Sequence, residues 1–141
     1  MSTKIFVNLP VKNLDKSKAF YGNLGFRNNT QFTDDTAACM VISEDIYTML
    51  LTEAKFKEFT PKAICDAKKS TEVLVALSME SRQQVDSVVG KAVAAGGATY
   101  AEPKDYGFMY QHGFQDPDGH IWEVFYMEPG AVEQGTEKMH A

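Results

Sequence analysis

The sequence has little of what marks a membrane, secreted or nucleic-acid-bound chain. No apolar run approaches the roughly 18–20 residues needed to cross a bilayer. The opening Met1-Ser2-Thr3-Lys4-Ile5-Phe6-Val7-Asn8 is too polar, and its apolar stretch too short, for a signal peptide. Cysteine is limited to Cys39 and Cys65, far apart and outside any CxxC pair, so free thiols in a cytoplasmic chain are expected rather than a disulfide. Lys and Arg total 14 against 19 Asp and Glu, a net charge of −5. That balance speaks against nucleic acid, whose phosphates call for a basic footprint. The 3 histidines, His112, His120 and His140, all fall in the last third and leave a His/Cys zinc site little to draw on. GxGxxG, Walker, HExxH and GxSxG patterns are missing. What is present, 141 residues with 44% hydrophobic and 23% charged, has the composition of one folded domain or two small similar modules fused.

Alternation of Ile5, Val7 and Leu9 with Phe6, Asn8 and Pro10 predicts an opening strand with two usable faces. Asn13 is placed to cap a helix carrying Leu14, Phe20, Tyr21 and Leu24 near one side, and Gly25 to end it. Residues 26–32, 36–42 and 46–51 read as three strands, separated by the polar breaks Thr33-Asp34-Asp35 and Ser43-Glu44-Asp45. Residues 52–70 lack a clear period and have room for one or two helical turns. The opening pattern then returns: a strand over 72–79, and a capping box from Ser81 and Gln84. Val85, Val88, Val89, Ala92 and Val93 follow as an amphipathic helical stripe closed by Gly96-Gly97. Strands over 99–101, 108–115 and 120–127 complete the pattern. The polar tail, 128–141, is expected to be mobile.

The order is βαβββ, linker, βαβββ, with Val11 recurring as Met79 and Gly25 as Gly97 at nearly the same spacing. Each half has too small a core to be comfortable alone. The expected fold is therefore one α+β domain over residues 1–141, built of two modules, about 4–52 and 72–127. They would share a curved mixed sheet with helices on one face and a concave pocket on the other. Alternation puts Phe6, Asn8, Leu74, Ala76 and Ser78 on the pocket side. Ile121, Glu123 and Phe125 form one face of the last strand, and Trp122 belongs to the other, under the helices. Asp116-Pro117-Asp118-Gly119 is a turn signal. If Gln115 pairs with His120 across it, His112 opposes Glu123 and Tyr110 opposes Phe125. His112 and Glu123 then read either as an acid/base or ligand-orienting dyad, or as a cross-strand hydrogen bond satisfying two half-buried groups. Asn8 reads as a ligand contact or a partner for nearby backbone. Phe6 and Tyr110 read as stacking surfaces or as core, and His120 as support for the turn.

Two stretches resemble a known family. Asn8-Leu9-Pro10-Val11-Lys12-Asn13-Leu14-Asp15-Lys16-Ser17-Lys18-Ala19-Phe20-Tyr21, followed by Leu24-Gly25-Phe26, is similar to the opening of the glyoxalase/bleomycin-resistance/extradiol-dioxygenase proteins, the vicinal oxygen chelate superfamily. Phe114-Gln115-Asp116-Pro117-Asp118-Gly119-His120-Ile121-Trp122-Glu123 resembles its closing hairpin. The likeness spans residues 4–127 and is nearest to members described as lactoylglutathione lyase-like. It implies the family fold, a homodimer, and one side chain from the first and last strands of each module as ligands to a divalent metal. Those positions fall here on Phe6, Leu50 or Leu51, Leu74 and Glu123, of which Glu123 alone can coordinate. The implied function is a metal-free pocket for a small, partly aromatic compound, with Phe6, Asn8, Leu74, Tyr110 and Phe125 as ligand contacts and Glu123 and His112 as the reactive pair. The alternative is a metal-dependent lyase, isomerase or dioxygenase working through Glu123. Neither reading calls for nucleic acid or membrane.

Overall fold

A computed structural model describes residues 2–130 and carries the expected order twice. The first module comprises β1 (Ile5–Val11), α1 (Leu14–Asn23), β2 (Arg27–Asn29), β3 (Ala37–Val41) and β4 (Ile46–Thr52). A single-turn helix, α2 (Glu53–Phe56), and an irregular linker lead to the second. That module holds β5 (Leu74–Ser78), α3 (Arg82–Ala94), β6 (Lys104–Asp105), β7 (Met109–Gln115) and β8 (Ile121–Met127). The expected mixed sheet is realised as two four-stranded sheets, ordered β1-β4-β3-β2 and β5-β8-β7-β6. The duplication extends to register. β1 runs parallel to β4 with Phe6 beside Tyr47, as β5 runs parallel to β8 with Leu74 beside Ile121.

Both main helices begin where a polar side chain satisfies a free backbone N–H. The Asn13 side chain accepts from Lys16 N–H at 3.1 Å, and Ser81 Oγ from Gln84 N–H at 3.0 Å. Gln84 closes the box one residue early, its Oε1 accepting from Glu80 N–H at 2.7 Å rather than from the cap residue itself. Gly25 ends the first helical region at φ +101, a conformation strained for any residue with a Cβ. Val85, Val88, Val89 and Ala92 are buried. Val93 is 48% exposed, because one more step of roughly 100° carries it past the edge of the buried stripe.

The helix-facing sides of the two sheets meet in a common core. The Phe20 ring lies 6.0 Å from Phe114, and Tyr21 5.7 Å from Trp122, which is fully buried under the helices as expected. The opposite, outer faces of the sheets carry the exposed apolar side chains Phe6 and Leu74.

Two strands differ from expectation. β2 stops at Asn29 because side chains capture the backbone beyond it. The Asn29 side chain accepts from Gln31 N–H at 3.0 Å, and Thr33 Oγ1 donates to the Asn29 carbonyl at 2.8 Å, closing a 3-10 turn over Thr30–Phe32. Residues 99–101 form no strand. Ala98 makes one bridge to Gln115, and the ladder resumes only at Lys104, while the Tyr100 ring lies against β7 at Gly113. Among the described residues no helix is long and apolar enough to cross a membrane. His140 and residues 131–141 of the tail lie outside the described residues.

Candidate functional site

The site is set by the turn between β7 and β8. Asp116 folds its carboxylate back into that turn, Oδ1 accepting from the N–H groups of Asp118 (3.0 Å) and His120 (2.8 Å). Its Oδ2 accepts from the Tyr21 hydroxyl at 2.6 Å, which in turn accepts from the Trp122 indole N–H at 2.9 Å. Burial pushes the Asp116 carboxyl above the usual range, against the pull of His120 and the Tyr21 hydrogen bond. His120 is held within the turn, donating Nε2–H to the Pro10 carbonyl at 2.7 Å, and so supports the turn as its position suggests.

Holding His120 in the turn shifts the hairpin register by one residue from the expectation. Gln115 opposes Ile121, Gly113 opposes Glu123, His112 opposes Val124 and Tyr110 opposes Tyr126. A one-residue shift sends a side chain to the other face. Glu123 stays on the outer face with Ile121 and Phe125, whereas His112 and Tyr110 lie on the helix side with Val124. The His112–Glu123 pair is not formed, either as a dyad or as a hydrogen bond. Tyr110 is likewise no part of the outer face. It donates to Asp86 Oδ1 at 2.7 Å, with the Arg82 guanidinium 5.4 Å from its ring centre, and so fastens α3 to the second sheet.

On the first sheet, Phe6 and Asn8 stand on the outer face as expected. The Phe6 ring stacks on Tyr47 at 4.5 Å and 9°. With Asn8, Asn29, Phe32, Cys39 and Met49 they bound a hollow of about 490 Å³. The Asn8 amide makes only a long local bond, to the Phe6 carbonyl at 3.4 Å. A second hollow, about 340 Å³, lies beneath the linker between Pro10, Phe56, Ile64, Val73 and Ile121. It takes in Asn8 of the first outer face and Ile121 of the second but reaches neither Phe6 nor Glu123.

On the second sheet, Leu74, Ile121, Glu123 and Phe125 share the outer face with two residues that the sequence reading passed over. A Cβ on Gly113 would overlap the Tyr100 hydroxyl and come within 2.8 Å of its Cζ, so the phenol rests on bare backbone directly across from Glu123. Burial, and then the charge of Glu123, raise the Tyr100 pKa and keep the phenol neutral. A lone glycine between His112 and Phe114 in an aromatic strand was the available signal, since an interior strand glycine marks a close approach.

Register also decides which residue of the first module matches Glu123. Glu123 stands beside Ala76 as Met49 stands beside Asn8, and Asn8 and Ala76 hold the same place after Phe6 and Leu74. The matching residue is Met49, not Leu50 or Leu51; Leu50 is fully buried on the core side. Of Phe6, Met49, Leu74 and Glu123, only the carboxylate suits a hard divalent ion. Among the described residues no three His, Cys, Asp or Glu side chains stand together as a metal set. The side chains present do not fit the metal that the resemblance implies.

Two tandem βαβββ modules, backed onto one core and presenting open outer sheet faces, define a class of duplicated α+β proteins. The chain belongs to the Glyoxalase/Bleomycin resistance protein/Dioxygenase superfamily, whose family model matches residues 5–124. It is similar in structure to the hypothetical protein SA1046 from S. aureus, with a TM-score of 0.75 and 28% identity over 89% of this chain and 94% of that one. A family enzyme from Burkholderia phytofirmans PsJN matches with a TM-score of 0.74 at 16% identity, covering 90% of this chain and all of the other. The fosfomycin resistance protein FosX from Listeria monocytogenes matches at 0.64 and 19%, covering 94% and 98%. No curated protein matches the chain.

Proposed function

We propose that this protein is a small-molecule pocket member of its family, holding a small, partly aromatic compound on its outer sheet faces without the family's metal site. The observation that carries the reading is the side-chain set at the four ligand positions: Phe6, Met49 and Leu74 are apolar, and Glu123 is the single carboxylate. Catalytic divalent sites generally use about three protein ligands. An aromatic stack with a few polar groups beside it is the usual chemistry of a small-molecule site. Phe6 and Asn8 serve the first sheet in this reading, and Leu74 and Phe125 the second.

The protein is proposed to act as a homodimer. Phe6 is 49% exposed and Leu74 53%, apolar surface of the kind that a second copy or a ligand covers. A cytoplasmic setting is proposed on the two free thiols, Cys39 buried and Cys65 exposed.

The test is thermal unfolding of protein purified without an affinity tag, with an aromatic compound panel and with nickel, zinc, manganese and iron added separately. Ligands that bind the native state stabilise it by mass action, by about 2.7 kcal/mol at a hundredfold excess over Kd, and so raise the midpoint. Aromatic compounds are expected to raise it and metals to leave it unchanged. Silence across the panel overturns the pocket. A stoichiometric metal overturns the metal-free part and brings forward a lactoylglutathione lyase-like or dioxygenase reaction through Glu123.

A further inference from the structure

The second sheet carries an arrangement that the pocket reading leaves unexplained. Glu123 is half-buried on a face shared with Leu74, Ile121 and Phe125. Three other carboxylates at the surface have cations beside them: Asp45 is paired with Lys4 at 3.1 Å, and Asp105 and Glu128 with Arg82 at 2.9 and 3.3 Å. Among the described residues the Glu123 carboxylate has neither an ion pair nor a hydrogen bond. The carboxylate is therefore open to a counter-charge brought by a ligand.

The neighbouring phenol completes the arrangement. Tyr100 comes from the irregular segment between α3 and β6 and lies over Gly113, the residue directly opposite Glu123. Its hydroxyl has no partner among the described residues. A neutral phenol offers lone pairs beside the carboxylate, and its ring offers a π face. Carboxylate, phenol oxygen and aromatic surface together are what an organic ammonium group binds: an anion for its charge, acceptors for its N–H bonds and a ring for its polarised CH groups.

We propose that Tyr100 and Glu123 form a subsite on the outer face of the second sheet and select a ligand bearing a protonated amine on an aromatic body. The proposal rests on the pocket reading and adds the charge and chemistry of what is bound. Gly113 acts as a positioning residue, since any side chain there displaces the phenol.

Calorimetry at neutral pH with three probes of one shape and different charge tests this: naphthylmethylamine, naphthylmethanol and naphthoate. The amine is expected to bind about tenfold or more tighter than the alcohol, the range of a hydrogen bond to a charged group, and the acid weakest. Glu123→Gln is expected to erase the preference for the amine while the alcohol still binds, and Tyr100→Phe to reduce it several-fold. Because the chain carries a net charge of −5, Asp35→Asn, in an exposed loop of the first module, serves as the control and keeps the preference. Equal affinity for amine and alcohol, or a preference surviving in Glu123→Gln, overturns amine selection but leaves the pocket standing. Failure of all three probes to bind counts against both.

Discussion

Asp116 shows how much one side chain can carry. Its two oxygens accept from two backbone N–H groups and from Tyr21, closing a turn in the second module against a helix of the first. The group is 4% exposed, and burial holds its pKa above the ordinary 3.8. The folded state therefore binds the proton more tightly than the unfolded chain, so ionisation of this group destabilises the fold. Its contribution becomes more favourable as pH falls through the raised folded value toward 3.8, and is lost as pH rises. Asp116→Asn removes the titration. The expected result is that wild type gains stability relative to Asp116→Asn between neutral pH and the ordinary carboxylate range, measured by urea midpoints at stepped pH. A difference that is flat with pH would refute the raised pKa.

At the scale of elements, the caps are where sequence and structure agree most closely, and they give a direct test. Ser81→Ala leaves Gln84 N–H without its acceptor at the start of α3, at an expected cost of about 1 kcal/mol in denaturant unfolding. Gln84→Ala, which removes only the bond to Glu80 N–H, should cost less. Caps and the helical stripe were legible because each rests on contacts a few residues apart, and the repeat because the same local pattern of elements occurs twice. The β7–β8 register was not. The residues Asp116 to Gly119 announce a turn, but whether His120 belongs to it depends on the Asp116 carboxylate and on Pro10, more than a hundred residues away. That one residue moved His112 and Tyr110 off the outer face and brought Gly113 opposite Glu123. The candidate site was therefore half legible. Phe6, Asn8, Leu74, Glu123 and Phe125 follow from strand alternation, whereas Tyr100 reaches the site from an irregular segment with no period to read.

For the whole molecule, the central question is whether two modules behave as two units or one. Their sheets share no ladder, yet their aromatic side chains do not respect the boundary. Trp122, from the second module, packs 5.7 Å from Tyr21 and 6.1 Å from Phe26 of the first, and 6.5 Å from Phe114 of its own. Its indole N–H ends on Tyr21, so separating the modules would strip a buried donor of its acceptor as well as expose the ring. Neither module can then retain its helix-facing surface alone, and unfolding should be a single cooperative event. Trp122 is the sole tryptophan, and its fluorescence reports this junction specifically. Denaturation followed by that fluorescence and by far-ultraviolet circular dichroism is expected to give coincident transitions. Phe20→Leu, which thins the first module where it meets Phe114, should lower both midpoints together, for a loss of roughly 1–3 kcal/mol in unfolding free energy. A fluorescence change that precedes loss of secondary structure would mean that the modules part before they melt, and the common core would then be a docking surface between two independently stable halves.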